Sequence, residues 1–135
     1  MAVAPILLLR RAIVAHLRAD ATVTALIPAA RIYGARSPAT PVWPFVRYGV
    51  SDAVPAYEIT APLHVFSKAD FTDEAVLIAD AIGNSLDEQV LGMSDGRNAH
   101  LRWAGARVIP DAAEASAFHA IVTIAATVAR ECAAA

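Results

Sequence analysis

The hydrophobic pattern of residues 61–86, APLHVFSKADFTDEAVLIADAIGNSL, changes its period in the middle. In its first part, apolar side chains recur at every second position, which is typical of a half-buried β-strand. In its last part they recur every three or four positions, which indicates an amphipathic helix. Thr72 can cap that helix, and Asp73 and Glu74 suit its first turn because carboxylates stabilise the positive end of the helix dipole. The pattern therefore predicts a strand that leads into a helix through a short loop.

Each of these two elements has a face that we expect to be buried. On the strand this face consists of Ile59, Ala61, Leu63 and Val65. The opposite strand face carries Glu58, Thr60, His64 and Phe66. On the helix the buried stripe is predicted to contain Ala75, Ile78, Ala79, Ile82, Leu86 and Val90.

The N-terminal part of the chain is predicted to form another amphipathic helix. Its apolar residues recur at helical spacing between Ile6 and Leu17, and Pro5 suits a first helical turn. Asp20 then has the position of an N-cap for a short second helical segment, which Pro28 ends.

The middle of the chain is expected to change from loop to strand. Residues 29–41 contain Gly34 and two prolines and have the composition of a loop, although residues 31–33 can pair briefly as an edge strand. Residues 42–50, VWPFVRYGV, are aromatic and β-branched and predict a strand. Pro44 cannot donate a ladder hydrogen bond, so we expect its end of the strand at a sheet edge or a bulge.

The C-terminal part predicts two more strands. A turn, LGMSDGRN, precedes residues 101–109, which alternate well enough for a strand and in which Gly105 marks a bulge or a close backbone approach. Residues 110–117 form the connection to a last strand, FHAIVTIAATV. Its predicted buried face carries Phe118, Ala120, Val122, Ile124, Ala126 and Val128.

These elements predict one α+β domain over residues 1–135, with the order αββαββ. Strands that follow one another through short connections form antiparallel hairpins, and the intervening helices cover one face of the sheet. We therefore expect two layers, with a four-stranded, mainly antiparallel sheet and helices on one face. The other face, which includes Ile121, is left for solvent or another subunit.

Composition and charge narrow the function classes. The 135 residues are 57% hydrophobic, and the mean hydropathy of +0.48 leaves apolar surface for partners. A formal charge of −2 and a pI near 6.0 argue against binding to nucleic acid by neutralisation of phosphates.

Arg10 and Arg11 follow the first apolar run, whereas a secretory signal carries its charges before that run, and Cys132 has no second cysteine to pair with. Folding in a cytosol is therefore expected.

Catalytic motifs are missing from the sequence. The histidines at positions 16, 64, 100 and 119 have no metal-ligand spacing, and neither a GxSxG elbow nor a glycine-rich phosphate loop occurs. Aromatic residues of the strand 42–50 alternate with Arg47, which favours core or interface packing over stacking on nucleic-acid bases. One alternative stays open: a small-molecule or hydrolytic site between sheet and helices that uses His64 or His119 with Asp80.

The order of the segments resembles the tail-completion or tail-terminator family of long-tailed bacteriophages and prophage-like gene-transfer particles. The segments that carry the resemblance are LRADATVTALI, ARIYGARSP, PFVRYGV, LHVFSKADFTDEAVLIADAIGNSL and FHAIVTIAATV. The resemblance covers the chain from about Ile6 to Val128. The chain departs from the family pattern in its alanine-rich connection at residues 110–117, where relatives often have an aspartate and glycine turn.

The resemblance implies a structural protein of the virion neck with neither enzymatic activity nor a cofactor. Six copies would form a ring that caps the tail tube and joins it to the head-side connector or stopper. The implied partners are copies of the chain, the major tail tube protein and the connector, and DNA would pass through the lumen without specific binding. Assembly would take place in the host cytoplasm, without a membrane. Another neck protein of the same particle, such as the stopper, is a further alternative.

We predict that the loops 29–41 and 110–117 and the uncovered sheet face make the subunit and tube contacts. The candidate interface residues are Arg31, Tyr33, Arg36, Trp43, Arg47, Asp111, Glu114 and Ile121. Catalytic, cofactor-binding and metal-binding residues are not assigned. Arg36→Glu or Arg47→Glu is expected to block ring assembly without affecting the fold of the monomer.

Overall fold

The computed structural model of the chain describes residues 5–34, 36–53, 58–68, 73–111 and 117–128. Its helices are α1 (Pro5–Ala19), α2 (Ala21–Thr24) and α3 (Asp73–Leu86), with a 3-10 turn at Ala29–Arg31. Its strands are β1 (Ile32–Tyr33), β2 (Phe45–Tyr48), β3 (Asp52–Ala53), β4 (Glu58–Ser67), β5 (Val90–Gly92), β6 (Asn98–Pro110) and β7 (Phe118–Val128).

The strands form one mixed sheet in the order β1-β2-β4-β7-β6-β5, and β3 pairs with β4 beside this path. The β1–β2 pair is parallel and the other pairs are antiparallel. Helix α1 contacts both β1 and β5, the two ends of this order, so the sheet curls around the helices. The long strands β4, β6 and β7 form the centre of the sheet and determine which side chains face each way.

The α+β class is confirmed and the sheet is mainly antiparallel, but the predicted count of four strands and the order αββαββ are wrong, since the described residues form seven strands. The four predicted strands correspond to β2, β4, β6 and β7, and the brief edge strand expected at residues 31–33 is β1. The strands β3 and β5 were not predicted because two or three residues are too few to show an alternation of apolar and polar positions. The mixed character comes from β1, which runs parallel to β2.

The core lies between one face of the sheet and the helices, and we call this the inner face. The predicted alternating residues of β4 are buried, as are those of β7 from Ala120 to Val128. They pack in one cluster with Leu9 and Ile13 of α1 and with Ile78 and Ile82 of α3. Asp20 caps α2 as predicted, since its side chain accepts hydrogen bonds from the backbone of Thr22 and Val23.

Helix α3 ends earlier than the hydrophobic stripe predicted. Leu86 is its last residue, and Glu88 follows with a φ of 59°, a left-handed conformation that cannot continue the helix. Val90, which was predicted in the buried stripe of the helix, lies in β5 instead and is 51% exposed.

A close contact joins α3 to β6. A Cβ atom added to Gly83 would collide with the ring of Trp103 on the inner face of β6, so the absence of a side chain at Gly83 admits the indole. A register shift follows between Trp103 and Gly105, as expected for a bulge there, and the Trp103 Nε1–H donates to the Gly105 carbonyl (3.1 Å).

Candidate interaction site on the outer sheet face

The sheet face opposite the helices, called the outer face here, is organised in rows across the strands. The register aligns Phe45 with Phe66, Phe66 with His119 and His119 with Ile109. In the neighbouring row the aligned residues are Arg47, His64, Ile121 and Arg107. Side chains of paired residues lie on the same face, so the register brings residues from distant parts of the sequence together.

An aromatic cluster occupies the end of the outer face near β2. Its members are Tyr33, Trp43, Phe45, Phe66, His64 and His119. Phe66 stacks on Phe45 with ring centroids 4.6 Å apart and on His119 at 4.4 Å. Trp43 meets Phe45 edge-on at 5.1 Å. Phe45 and Phe66 are therefore buried although none of the described helices covers this face.

Within this cluster His64 and His119 form a direct pair. The Nδ1 atom of His64 lies 2.6 Å from the Nε2 atom of His119, a hydrogen bond in which one ring donates and the other accepts. Burial, and then the charges of His119 and Arg47, lower the pKa of His64 from 6.5 to about 4. Burial also lowers the pKa of His119, although the charge of Asp111 opposes this shift. Both rings are therefore neutral near pH 7.

The spacing of the four histidines in the sequence did not indicate that His64 and His119 form a pair. The two residues lie 55 positions apart and reach each other diagonally across β4 and β7. The sequence showed only the alternation of apolar and polar positions, which places both histidines on the polar face of their strands. Sequence spacing cannot reveal the register that joins them.

Gly49 makes room for the His64 ring at the end of β2. A Cβ atom built on Gly49 would lie 2.5 Å from His64 Nε2, which is too close for any side chain. Beside this point an open depression of about 420 Å³ is lined by Arg10, Arg47 and His64, among other residues.

Positive charge is concentrated on the outer face. The Arg47 Cζ atom lies 5.3 Å from the centroid of the Phe66 ring, in cation–π geometry. Arg102 and Arg107 are exposed on the same face of β6, and Glu58 of β4 lies on that face as well. The overall charge of −2 does not show this local distribution.

The structure gathers several of the predicted interface residues around the aromatic cluster. Tyr33 and Trp43 belong to it, Arg47 covers Phe66, and Ile121 is half-buried in the next row of the outer face. The Arg31 guanidinium donates to the Trp43 carbonyl (3.5 Å), which ties the 3-10 turn to the start of β2. The strand predicted over residues 42–50 is shorter in the structure, where β2 covers Phe45–Tyr48 and Pro44 lies immediately before it.

The remaining predicted interface residues lie in the two connections. Arg36 is exposed in the connection between β1 and β2. The Asp111 backbone N–H donates to the Ala117 carbonyl (2.9 Å), which brings the two ends of the second connection together. Glu114 lies outside the described residues. Sequence reasoning did not select Phe45, Phe66, His64 or His119 as interface residues.

The alternative small-molecule site is not assembled by this fold. Asp80 is exposed on α3, whose opposite side packs on the inner face, whereas His64 and His119 lie on the outer face. In the described part of the chain, no three His, Cys, Asp or Glu side chains are grouped as metal ligands. No described helix is long and apolar enough to cross a membrane.

Comparisons with known proteins agree with the resemblance seen in the sequence. The family model described as "Tail completion protein gp17" matches residues 11–129. A chain in a structure entitled "Virion of native gene transfer agent (GTA) particle" has the same fold, with a TM-score of 0.79 and 24% sequence identity. The match covers 89% of the present chain and 93% of that chain. No curated protein matches the sequence. Because the family model matches far more than half of the sequence, the chain belongs to the tail completion protein gp17 family.

Proposed function

We propose that this protein is a structural component of the virion neck, where copies form a ring, of six subunits, that caps the tail tube and joins it to the head-side connector. The family match is the observation that carries the proposal, since it spans residues 11–129 of the 135. The protein acts by shape and by surface chemistry, without catalysis and without a cofactor. Its partners are copies of itself, the tail tube protein and the connector.

The outer face supports this proposal because its residue types suit a contact surface. Aromatic side chains contribute mainly packing and stacking contacts. Tyr, Trp, Phe and Arg are the residues enriched at the centres of protein interfaces. The cluster combines these types, since Trp43 and Tyr33 are half-buried and Arg47 lies over Phe66. A partner that covers the outer face would bury it, as the helices bury the inner face.

Subunit contacts are assigned to the two connections that flank this face. The first carries Arg36, and the second begins at Asp111 beside His119. Both connections emerge next to the aromatic cluster, so one partner can contact the loops and the cluster together. DNA then passes through the lumen without specific binding, since no base-reading or phosphate-cradling motif is present in the sequence.

The experiment that tests this function is deletion of the gene and inspection of the particles by electron microscopy. Loss of the protein is expected to leave tails of abnormal length that are not joined to filled heads, and the wild-type gene supplied in trans should restore joined particles. Tails of normal length that lack only their connection to the head would instead indicate the alternative role of the head-side stopper. Joined, intact particles from the deletion strain would contradict any role in the neck.

Ring formation is tested on protein assembled with tail tubes, where a mass of six times 14.2 kDa per ring is expected. Arg36→Glu and Arg47→Glu are expected to prevent this assembly and to leave the far-UV spectrum of the monomer unchanged. Normal rings from both variants would show that the contacts lie elsewhere.

A further inference from the structure

The edge of the sheet formed by the second half of β6 lacks a partner strand among the described residues. The first half is covered, because β5 pairs with residues 98–100. The next two outward-facing donors also have partners: the Leu101 N–H donates to the Gln89 carbonyl, and the Trp103 N–H donates to the Asp87 carboxylate. Ala106 and Val108 lie on the same sheet face as those two donors and therefore direct their backbone groups away from β7. Their N–H and C=O groups form an open edge, which is a ready site for a partner.

Beside this open edge, α3 exposes an apolar pair between two carboxylates. Val76 is 45% exposed and Leu77 is 58% exposed, and Asp73 and Asp80 flank them on the same exposed helix face. A groove of about 290 Å³ separates the helix from β6. We call this surface, made of residues 104–110 with Asp73, Val76, Leu77 and Asp80, the acidic edge. Arg107 also reaches the groove from the outer face.

A basic surface lies at a different edge of the sheet, next to β1. Arg10, Arg11 and Arg18 of α1 line a second groove of about 290 Å³, together with Gly34. The Arg18 guanidinium donates to the Ile32 carbonyl of β1 (2.6 Å), which fixes the groove to the sheet and occupies an outward-facing backbone acceptor of that strand. Arg36 follows in the next connection. We call Arg10, Arg11, Arg18 and Arg36 the basic edge.

The charge of the chain is segregated between the parts that form these two surfaces. Residues 1–50 contain six arginines and a single carboxylate, Asp20, whereas residues 70–95 contain seven carboxylates and neither lysine nor arginine. In the described part of the chain, Arg11 and Arg36 form no ion pair with Asp73 or Asp80. The two edges share no groove-lining residue, so both are free to meet another molecule at once.

We propose that the acidic edge of one copy receives the basic edge of a second copy, in a head-to-tail contact. Complementary potentials favour this arrangement, while a two-fold contact through the basic edge would bring arginines together. A head-to-tail contact forms a ring when the rotation between successive copies closes on the first copy. This inference rests on the proposed function, and it adds which surfaces meet within the ring.

The test is sedimentation velocity of the full chain at low ionic strength and high protein concentration. The acidic-edge variant is Asp73→Lys/Asp80→Lys, with Asp80→Lys alone as a milder change, and the basic-edge variant is Arg11→Glu/Arg36→Glu. Glu88→Lys is the matched control for Asp80→Lys, because it makes the same charge change at an exposed position outside the acidic edge. Melting curves verify that each variant is folded.

The wild type and the Glu88→Lys control are expected to self-associate, more weakly as salt rises. Each edge variant should associate at least about tenfold more weakly, since like charges at a contact cost several kcal/mol. An equal mixture of the two edge variants should recover association, because the unchanged basic edge of one variant meets the unchanged acidic edge of the other, and the introduced lysines meet the introduced glutamates.

Three results would overturn the contact: a wild type that stays monomeric, edge variants that associate like the wild type, or a mixture that does not recover association. These results are independent of the deletion phenotype. If the proposed contact fails but the deletion strain still produces unjoined tails, the neck function stands and the ring must form through other surfaces.

Discussion

The two faces of the central strands show how the same segments serve two purposes. On β7, Val122 and Ile124 point to the helices and are fully buried, whereas Ile121 and Thr123 point to the outer face and are only half-buried. The inner face is mostly apolar, and the buried Ser67 on it donates to the Glu74 carboxylate of α3 (2.7 Å). The outer face is uneven, with the aromatic cluster at one end and threonine, alanine and arginine at the other.

The difference indicates which face supplies stability and which is available for assembly. Inner side chains are surrounded by the helices, so their removal leaves cavities that the fold cannot close. Outer side chains pack mainly on their strand neighbours, and the monomer depends on them less. Changes on the inner face should therefore affect unfolding, and changes on the outer face should affect association.

The sharpest test compares two isoleucines of β7. Ile124→Ala removes a fully buried side chain on the inner face and is expected to lower the free energy of unfolding by about 3–4 kcal/mol. Ile121→Ala removes the same atoms on the outer face and should cost less than about 1 kcal/mol. Urea denaturation of both variants measures the difference. Equal losses would mean that the outer face is as much a part of the core as the inner face.

The contact of α3 with β6 gives the next largest effect. Gly83→Ala should lower the free energy of unfolding by about 2 kcal/mol, since the added Cβ would collide with the Trp103 ring. The sign is informative because Gly→Ala within a helix normally stabilises by about 0.5–1 kcal/mol. Asn84→Ala, at the next and exposed helical position, is the control and should be neutral or stabilising. A stabilised Gly83→Ala variant would show that the indole moves aside without cost.

Much of the fold followed from the sequence because its long elements repeat their pattern many times. The alternation in β4 and β7 extends over ten and eleven residues and assigned their side chains to the correct faces. Short elements carry no such signal, so β3 and β5 were missed. The apolar Val90 extended the predicted helix because periodicity alone does not show the left-handed turn at Glu88.

The candidate site was only partly predictable, for a different reason. Local pattern placed Trp43, Arg47 and Ile121 on a surface for partners, but the strand register decides which residues meet there. His64 and His119 were accordingly treated as separate, although they form a hydrogen-bonded pair. Phe66 was assigned to the polar face of its strand, yet its neighbours bury it. These contacts cannot be predicted from the sequence unless the strand register is known.

The histidine pair predicts a pH dependence that originates on the outer face. The folded pKa of His64, about 4, lies below the ordinary value of 6.5, so the unfolded chain binds the proton more readily. Stability should therefore fall as the pH decreases from 6.5 towards 4 and show no contribution from this residue above 6.5. We expect a loss of about 1 kcal/mol, smaller than the full shift implies because the pair is partly solvated.

The measurement is the free energy of unfolding between pH 7.5 and about 4 for three proteins. His64→Gln should flatten the decrease, and His100→Gln, which changes an exposed histidine on the same face, should keep it. Identical slopes for the wild type and His64→Gln would assign the acid sensitivity to carboxylates alone.

The smallest expected effect concerns Arg47, whose guanidinium lies over the Phe66 ring. Arg47→Met keeps much of the aliphatic stem and removes the charge, so the lost cation–π contact should cost the monomer about 0.5–1 kcal/mol. Arg102→Met is the control, an exposed arginine of the outer face without an aromatic ring beneath it in the described contacts, and should be nearly neutral. Thermal melting distinguishes the two. A cost equal to that of the control would mean that Phe66 does not hold the guanidinium in the monomer. Any loss of ring assembly in Arg47→Met would then come from a contact that Arg47 makes only with a partner. That result would distinguish a role of the outer face in assembly from a role in folding more strictly than the comparison of the two isoleucines of β7.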